Sequence, residues 1–559
     1  ISQSFERLIP SLVQWMDEKG MAQIVKEVNW AKVDQATFPE DQYRLWEQEI
    51  GRFFLTQSKE DIFREAFKRR IPIMPNSTPH DVWQNPQLRS RDFWVEVEHS
   101  ELGRSITYPG APCKFSTLTW HIARRAPLIG EHNEEILSGT GPAERPRSSV
   151  ASGRVESKRA LEGLRVIDFS RVITGPLITK YMADFGAEVI KIEAQGSMDT
   201  TRSGGPFKGT GKPIDCCGGF IHVNTSKHSM ALNLGIPQGK EVIRRLLGKS
   251  DVVVENFAPG VMERLGLSYK NLQEINPNII MLSASSLGQT GPHSRHPGFG
   301  WNLSGLAGFN HLTGWPDREG ISSSIAYTDY IAPWFGTVAL LSALDFRRRT
   351  GEGQYIDMSQ CEAALTLLSP AILDYVVNGN VQTRSGNRSR WAAPHGAYPC
   401  KGNDRWCALA IFTGKEWQTF LKTIGNPEWG RDPRFTTLEA RQQNEDELDT
   451  LVSTWTLTQS AEEVMVLLQA AGLAAGVVQT AEDLLERDPQ VKHRGYFPRL
   501  EHPVMGWCAH YDWPVKFSRT PAVICPPPIF GEYTEHVCTR ILGMSQAEFL
   551  KLKAEGAFQ

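Results

Sequence analysis

The sequence predicts an α/β protein built on a Rossmann-like parallel sheet, with more than one domain along the chain. Three observations carry that expectation. The 559 residues are too many for one ordinary core. From Leu164 onward, short apolar β-rich runs alternate with helical stretches. Hydrophobic residues make up 40% and charged residues 22%, the balance of an ordinary soluble globular protein.

Leu164–Phe169 reads as a short apolar strand, and Gly175-Pro176 opens a helical stretch through Met182. Ala183-Asp-Phe-Gly-Ala leads into a second strand, Glu188–Glu193, which ends in an acidic residue. This is a β-α-β unit. The loop Ser170–Gly175 lacks the G-x-G-x-x-G that lets backbone approach a pyrophosphate, which argues against a nicotinamide-dependent dehydrogenase. Asp251–Glu255 and Ile279–Ser283 supply further strands with a helix between them. After Ser322–Thr328 comes Asp329 and an apolar helix, Ile331–Phe346, closed by Arg347, Arg348 and Arg349 and by Gly351 as a left-handed cap.

The formal net charge of -3 gives no reason to expect a nucleic-acid partner, although scattered arginines and lysines could serve a small phosphate-bearing ligand. Nine cysteines form no C-x-x-C pair, and adjacent Cys216-Cys217 suit neither a zinc knuckle nor an easy disulfide. Reduced thiols in a cytoplasmic enzyme without a metal site are expected. The start, ISQSFERLIP, lacks the basic and apolar regions of a signal peptide. Tyr330–Leu344 is too short to span a bilayer and carries Pro333 and Gly336, so no membrane partner is expected.

Two parts of the chain repeat at an offset of about 400 residues. Leu55-Thr-Gln-Ser58 recurs as Leu457-Thr-Gln-Ser460, each followed by an acid three positions on, Asp61 and Glu463. Both read as capping boxes that start a helix. Asn85-Pro-Gln87 matches Asp488-Pro-Gln490, Glu98-His99 matches Glu501-His502, Lys114-Phe-Ser116 matches Lys516-Phe-Ser518, and Gly130-Glu131 matches Gly531-Glu532. Order is kept, so we expect a duplication. Residues 1–137 then read as the tail of an upstream copy, 138–160 as a Gly/Ser/Pro/Arg-rich flexible linker, and 161 to the end as one complete unit. The first residue, Ile1 rather than methionine, agrees with a trimmed or fragmentary start.

Asp329 is the most informative candidate residue. At a helix start it could serve only as an N-cap, which is the commoner role. It could also be a carboxylate nucleophile that attacks a thioester carbonyl, kept ionised by the helix dipole. Spacing does not choose between the two.

Residues 161 to about 545 resemble the class III (CaiB/BaiF-type) CoA-transferases. The segments that carry the resemblance are GLRVIDFSRVITGP (163–176), ADFGAEVIKIE (183–193), NTSKHSMALNL (224–234), VVVENFAPGVMERLG (252–266) and DYIAPWFGTVALLSALDFRRRTGEGQ (329–354). LRSRDFWVEVEH (88–99) and RAPLIGEHNEEIL (125–137) resemble the small domain and C-terminal return of the same family. The resemblance implies a large Rossmann-like catalytic domain (161–390), a smaller α+β domain (391–495) and a return segment (496–559). It also implies an interlocked ring dimer, or a pairing of the two copies within one chain in which 1–137 lends its small domain to the site. Asp329 stands where the family's aspartate attacks an acyl-CoA and forms an anhydride and then an aspartyl-CoA thioester. Arg171, Lys227, Asn256, Phe257, Val261, Arg264 and Leu265 stand where the family holds CoA, which is a substrate and not a resident cofactor. Arginine forks suit phosphate oxygens.

The sequence also departs from formyl-CoA transferase. Ile173 replaces a glutamine, Ala194 replaces an arginine, and Ser385–Gly396 replaces a glycine-run lid. Formate and oxalate are therefore not expected, and Ile173 with Trp301 points to a larger, less polar acyl group, although either could be core. An α-methylacyl-CoA racemase would need a second acid/base where Phe299 stands. A non-catalytic scaffold half of a tandem transferase is the third reading.

Overall fold

The computed structural model describes residues 2–33, 39–138, 159–211, 213–323 and 325–559. Of the expected linker, residues 139–158 lie outside the described ones. The chain divides into two compact units, one of Ile1–Asn310, Ser322–Gln382 and Pro498–Gln559, the other of His311–Ile321 and Thr383–Phe497. The described residues of 1–137 fall in the first unit, with the parallel sheet. The small domain begins earlier than expected and takes in His311–Ile321.

The first unit is organised by a seven-stranded sheet in the order Cys113–Phe115, Tyr355–Ser359, Ile280–Ser285, Val252–Glu255, Arg165–Asp168, Glu188–Glu193 and His228–Ala231. The last six run parallel, with Ile167 opposite both Ile190 and Val253. Numbered along the chain, they stand in the order 6-5-4-1-2-3, the doubly wound Rossmann arrangement. Alternation sends the strand side chains to two faces, both covered, as a parallel sheet requires. Ile167, Ile190, Met230, Val253 and Met281 meet Val242, Leu246, Val537 and Phe549 on one face. Val166, Val189, Val254, Leu282 and Ile356 meet Ile178, Met182, Ala332, Leu340 and Ala343 on the other.

The long helix on that second face spans Tyr327–Thr350 and ends on Gly351, whose φ of 81° is the expected left-handed cap. Small residues let it lie close to its neighbours. A Cβ at Gly336 would sit 2.6 Å from Ile178 Cδ1 and 3.2 Å from Met358 Sδ. No helix among the described residues is long and apolar enough to cross a membrane, and all nine cysteines are free thiols.

Residues 85–115 dock on this sheet through backbone and charge. Cys113–Phe115 adds an antiparallel edge strand, with Cys113 opposite Met358. The Gln87 amide donates to the carbonyls of Leu287 and Thr290, both at 2.8 Å, and accepts from His293 N–H at 2.8 Å. The Arg91 guanidinium, fully buried, reaches Glu362 and Asp357 at 2.6 Å each.

The second unit is α+β. An antiparallel sheet of His395–Pro399, Trp406–Ala410 and Ala474–Val477 packs Tyr398 and Leu409 against Trp417, Phe420, Leu448 and Val464 of its helices. Matching sequence segments take matching local forms. Ser58 accepts from Asp61 N–H and Ser460 from Glu463 N–H, each opening a helix. Asn85 and Asp488 each cap a helix that begins with proline, and a hairpin follows each (Trp94–His99 with Arg104–Pro109, Arg499–His502 with Gly506–Ala509).

Candidate active site

The strand order reverses between Arg165–Asp168 and Val252–Glu255, and such a switch point opens a crevice at the strand ends. Two loops meet there. Asn256 clamps the first loop, accepting from Arg171 N–H at 2.7 Å and donating to its carbonyl at 2.8 Å. Val172 has φ of 67°, a left-handed conformation that a β-branched residue rarely adopts. Its N–H is held by Asp199 Oδ1 at 3.0 Å. Gly175 follows, where a Cβ would come within 2.2 Å of Ser170 Cβ and 3.3 Å of Asn256 Cγ, so only glycine lets the chain turn into the next helix there.

Beneath the loop lies a saturated chain of buried charges. Asp168 accepts from Ser170 and Thr179 and pairs with Lys227 at 3.0 Å. These partners outweigh burial and hold its carboxyl far below the usual range. Lys191 donates to Ser170 O at 2.8 Å and lies 3.0 Å from Asp199. Lys227, expected against CoA, is fully buried and gives its three N–H bonds to Asp168, Pro176 O and Asn224 Oδ1. Nothing of that ammonium is left for a phosphate, and its place is under the loop.

Asp329 is not an N-cap. Ala326 occupies that position without a side-chain bond, and Asp329 lies in the first turn. Pro333, four residues on, cannot donate to the Asp329 carbonyl. Thr174 Oγ1 reaches that carbonyl instead at 3.4 Å and the carboxylate Oδ1 at 3.3 Å. The other face of the carboxylate lies against Gly300, where a Cβ would meet Cγ and Oδ2 at 2.6 Å, and the Gly300 N–H stabilises the anion. Asp329 is 9% exposed. Burial pushes its carboxyl up to about 7, with Thr174 and Gly300 only partly opposing it. The helix dipole favours the ionised form, and desolvation overrides it.

Asp329 forms part of the floor of a cavity of about 480 Å³. Val172, Ile173, Phe299 and Trp301 line it, together with Leu12 and Ile71 from the first 137 residues. A second cavity, about 640 Å³, lies where Phe169, Arg171, Gln195, Ser197, Phe257 and Leu265 converge. The strained loop therefore serves both, with Arg171 in one and Val172 and Ile173 in the other. Arg171 donates to the carbonyls of Phe169, Ser170 and Ser197 at 2.8, 2.9 and 3.2 Å, and its guanidinium lies 5.9 Å from the Phe257 ring centre. Val261 opens the short helix Val261–Leu265, half-buried. Arg264 is exposed, and a residue not singled out from the sequence joins it. A Cβ at Gly260 would be 3.4 Å from Arg264 Nη1 and 3.6 Å from Arg295 Nη2, so two guanidinium groups converge there.

Thr174 and Gly300 also escaped the sequence reading, although Thr174 lies inside a motif that carried the resemblance. Arg295, in His-Ser-Arg-His, offered no local signal at all.

The sequence profile of CoA-transferase family III matches residues 8–133 and 161–534. A succinyl-CoA–D-citramalate CoA-transferase of Chloroflexus aurantiacus is 32% identical over 398 residues, covering 71% of this chain and 98% of that protein. A succinyl-CoA:glutarate CoA-transferase of Mus musculus is 30% identical over 427 residues, covering 74% of this chain and 96% of its own. The crystal structure of a CaiB/BaiF family protein from Brucella suis superposes with a TM-score of 0.64 at 29% identity, over 69% of this chain and all of that one. With profile, relatives and fold in agreement, the chain belongs to CoA-transferase family III and is an enzyme of the CoA-transferase class.

Proposed function

We propose that the enzyme moves CoA between two carboxylic acids through covalent intermediates on Asp329. The observation that carries this reading is a nearly buried carboxylate on the floor of an apolar cavity, beside the loop whose Arg171 lines the neighbouring cavity. A carboxylate stripped of water is a better nucleophile than a hydrated one, and above pH 7 it is ionised.

In the first step an Asp329 carboxylate oxygen bonds to the thioester carbonyl carbon and the C–S bond breaks. The products are an acyl-aspartyl anhydride and CoA thiolate. The thiolate then attacks the aspartyl carbonyl, which releases the donor acid as its carboxylate and leaves an aspartyl-CoA thioester. The acceptor carboxylate repeats the exchange in reverse and restores Asp329 as it leaves with CoA. The N–H of Gly300 and the hydroxyl of Thr174 are placed to support the carboxyl oxygens through these steps.

In this reading CoA lies along the Arg171 cavity, with Asn256 fixing the loop, Phe257 and Leu265 as apolar wall, Val261 as the start of the adjoining helix, and Arg264 with Arg295 for a phosphate. No resident cofactor is invoked. Residues 1–137 act as the tail of a duplicated copy that completes the acyl side of the site. A racemase reading gains nothing here, because Phe299 lines the cavity where a second proton carrier would be needed.

The test is intact-mass measurement after mixing with a panel of acyl-CoAs, followed by hydroxylamine. A mass increase that maps to Asp329 and is absent in Asp329→Asn is the expected result. Transfer that continues in Asp329→Asn, with no adduct in the parent protein, would overturn the proposal.

A further inference from the structure

Among the described residues, no cation lines the cavity that Asp329 lines. Its described lining residues are Leu, Ile, Val, Phe, Trp, Pro, Ala and Gly with Thr200, Thr201 and Asn302, and Asp329 is the one charged group among them. Asn302 is already engaged, its amide donating to Pro72 O at 2.7 Å. The nearest buried guanidinium in sequence, Arg202, is taken up by Glu193 and Asp215 at 2.8 and 2.6 Å. Half of the apolar wall comes from the first 137 residues: Leu8, Ile9 and Leu12 of one helix, and Ile71, Pro72 and Ile73 of an extended segment.

From this lining we infer that the acyl cavity accepts an apolar monocarboxylic acid, with a straight, branched or aryl chain, and discriminates against dicarboxylic acids. The inference rests on the Asp329 transfer reading and adds the substrate class to it. A second carboxylate would meet no arginine or lysine among the described lining residues and would lie beside an existing carboxylate. A methylene chain would exchange water for Ile71, Ile73, Ile173 and Trp301. At about 480 Å³ the cavity is in the range of small-molecule sites and larger than an acetyl group needs.

The experiment uses the full chain with butyryl-CoA as donor and a series of acceptor acids, with product acyl-CoAs read by mass. The expected kcat/KM rises about threefold to fourfold per methylene from propionate to hexanoate. Pentanoate should exceed glutarate, its dicarboxylic counterpart of equal length, by at least about tenfold. Ile73→Arg, at a half-buried wall position, should narrow or reverse the pentanoate-to-glutarate preference. If that variant does not fold, Ile73→Ala should lower the ratio of hexanoate to propionate. Glutarate or succinate matching the monocarboxylic acids in the parent protein overturns the inference, as does a preference unmoved by both substitutions. Hydroxylamine trapping from butyryl-CoA separates the two levels. An Asp329 adduct with the wrong acceptor order overturns the substrate class alone, whereas no adduct and no transfer with any pair overturns the aspartyl reading beneath it.

Discussion

Replacing Asp329 with asparagine should make the protein more stable and the stabilisation should grow with pH. An ordinary aspartate titrates at 3.8, while burial holds Asp329 up at about 7. Between those values the native chain keeps a proton that the unfolded chain has released. Stability therefore falls as pH rises through the window, by about 1.4 kcal/mol per pH unit, and is flat above about pH 7. The full penalty is on the order of 4 kcal/mol for the wild-type carboxylate at neutral pH and above. Asparagine keeps an oxygen for Thr174 and Gly300 and has no charge to bury.

The wild-type curve alone would not be diagnostic, because burial also holds Glu255 and Glu362 up at about 7. The difference between variant and parent cancels those groups. Urea unfolding at about pH 5.5 and about pH 8.5 should show the Asp329→Asn advantage growing by about 2 kcal/mol. The same titration should appear in catalysis, with wild-type kcat/KM falling about tenfold per pH unit below pH 7. A stability difference independent of pH, or a rate profile level down to about pH 5, would refute the assignment of a raised carboxyl to Asp329.

Two further outcomes follow from the geometry. Arg91→Met leaves Asp357 and Glu362 buried without their shared cation, and should cost about 3–5 kcal/mol by urea unfolding, with hydrogen exchange rising first across residues 85–115. Because Glu362, which burial holds up at about 7, can take up a proton, the cost should shrink at about pH 5. Removing the converging guanidinium groups together, Arg264→Ala with Arg295→Ala, should weaken CoA binding by calorimetry at least about tenfold at low salt and much less at high salt, with the acceptor-acid preference unchanged.

The sequence made the local chemistry legible and left the non-local chemistry hidden. Glu188–Glu193 was bounded as observed because alternation and a following acid are read from neighbouring residues. Gly351 closed its helix for the same reason. The apolar run signals a helix from Ile331, whereas the helix begins at Tyr327 and takes Asp329 into its first turn. The glycine that presses on its carboxylate lies 29 positions upstream, a contact only the folded sheet creates. Lys227 stands where the resemblance implies CoA contact, and only the position of Asp168 shows where its charge is spent. The docking of residues 85–115 was equally invisible. Arg91 reads as one arginine in a basic stretch until Asp357 and Glu362, far along the chain, close around it.

The buried charges explain why the loop between the two cavities can have its shape. A valine in the left-handed region is unfavourable by roughly 1–3 kcal/mol and persists only where its surroundings over-determine it. Here Asp199 takes the Val172 N–H, and Asn256 grips both the N–H and the carbonyl of Arg171. Asp199 is itself fixed by Lys191, which also holds Ser170 O, while Lys227 and Asp168 secure the strand end below. An extended backbone at Val172 would send the side chains of residues 171 and 173 to the same face. With the reversal, Arg171 meets one cavity and Ile173 the other, which Asp329 also lines. Ion pairs this deep add little net stability. Their effect is on the loop, which they hold in the conformation that puts Arg171 in one cavity and Ile173 in the other.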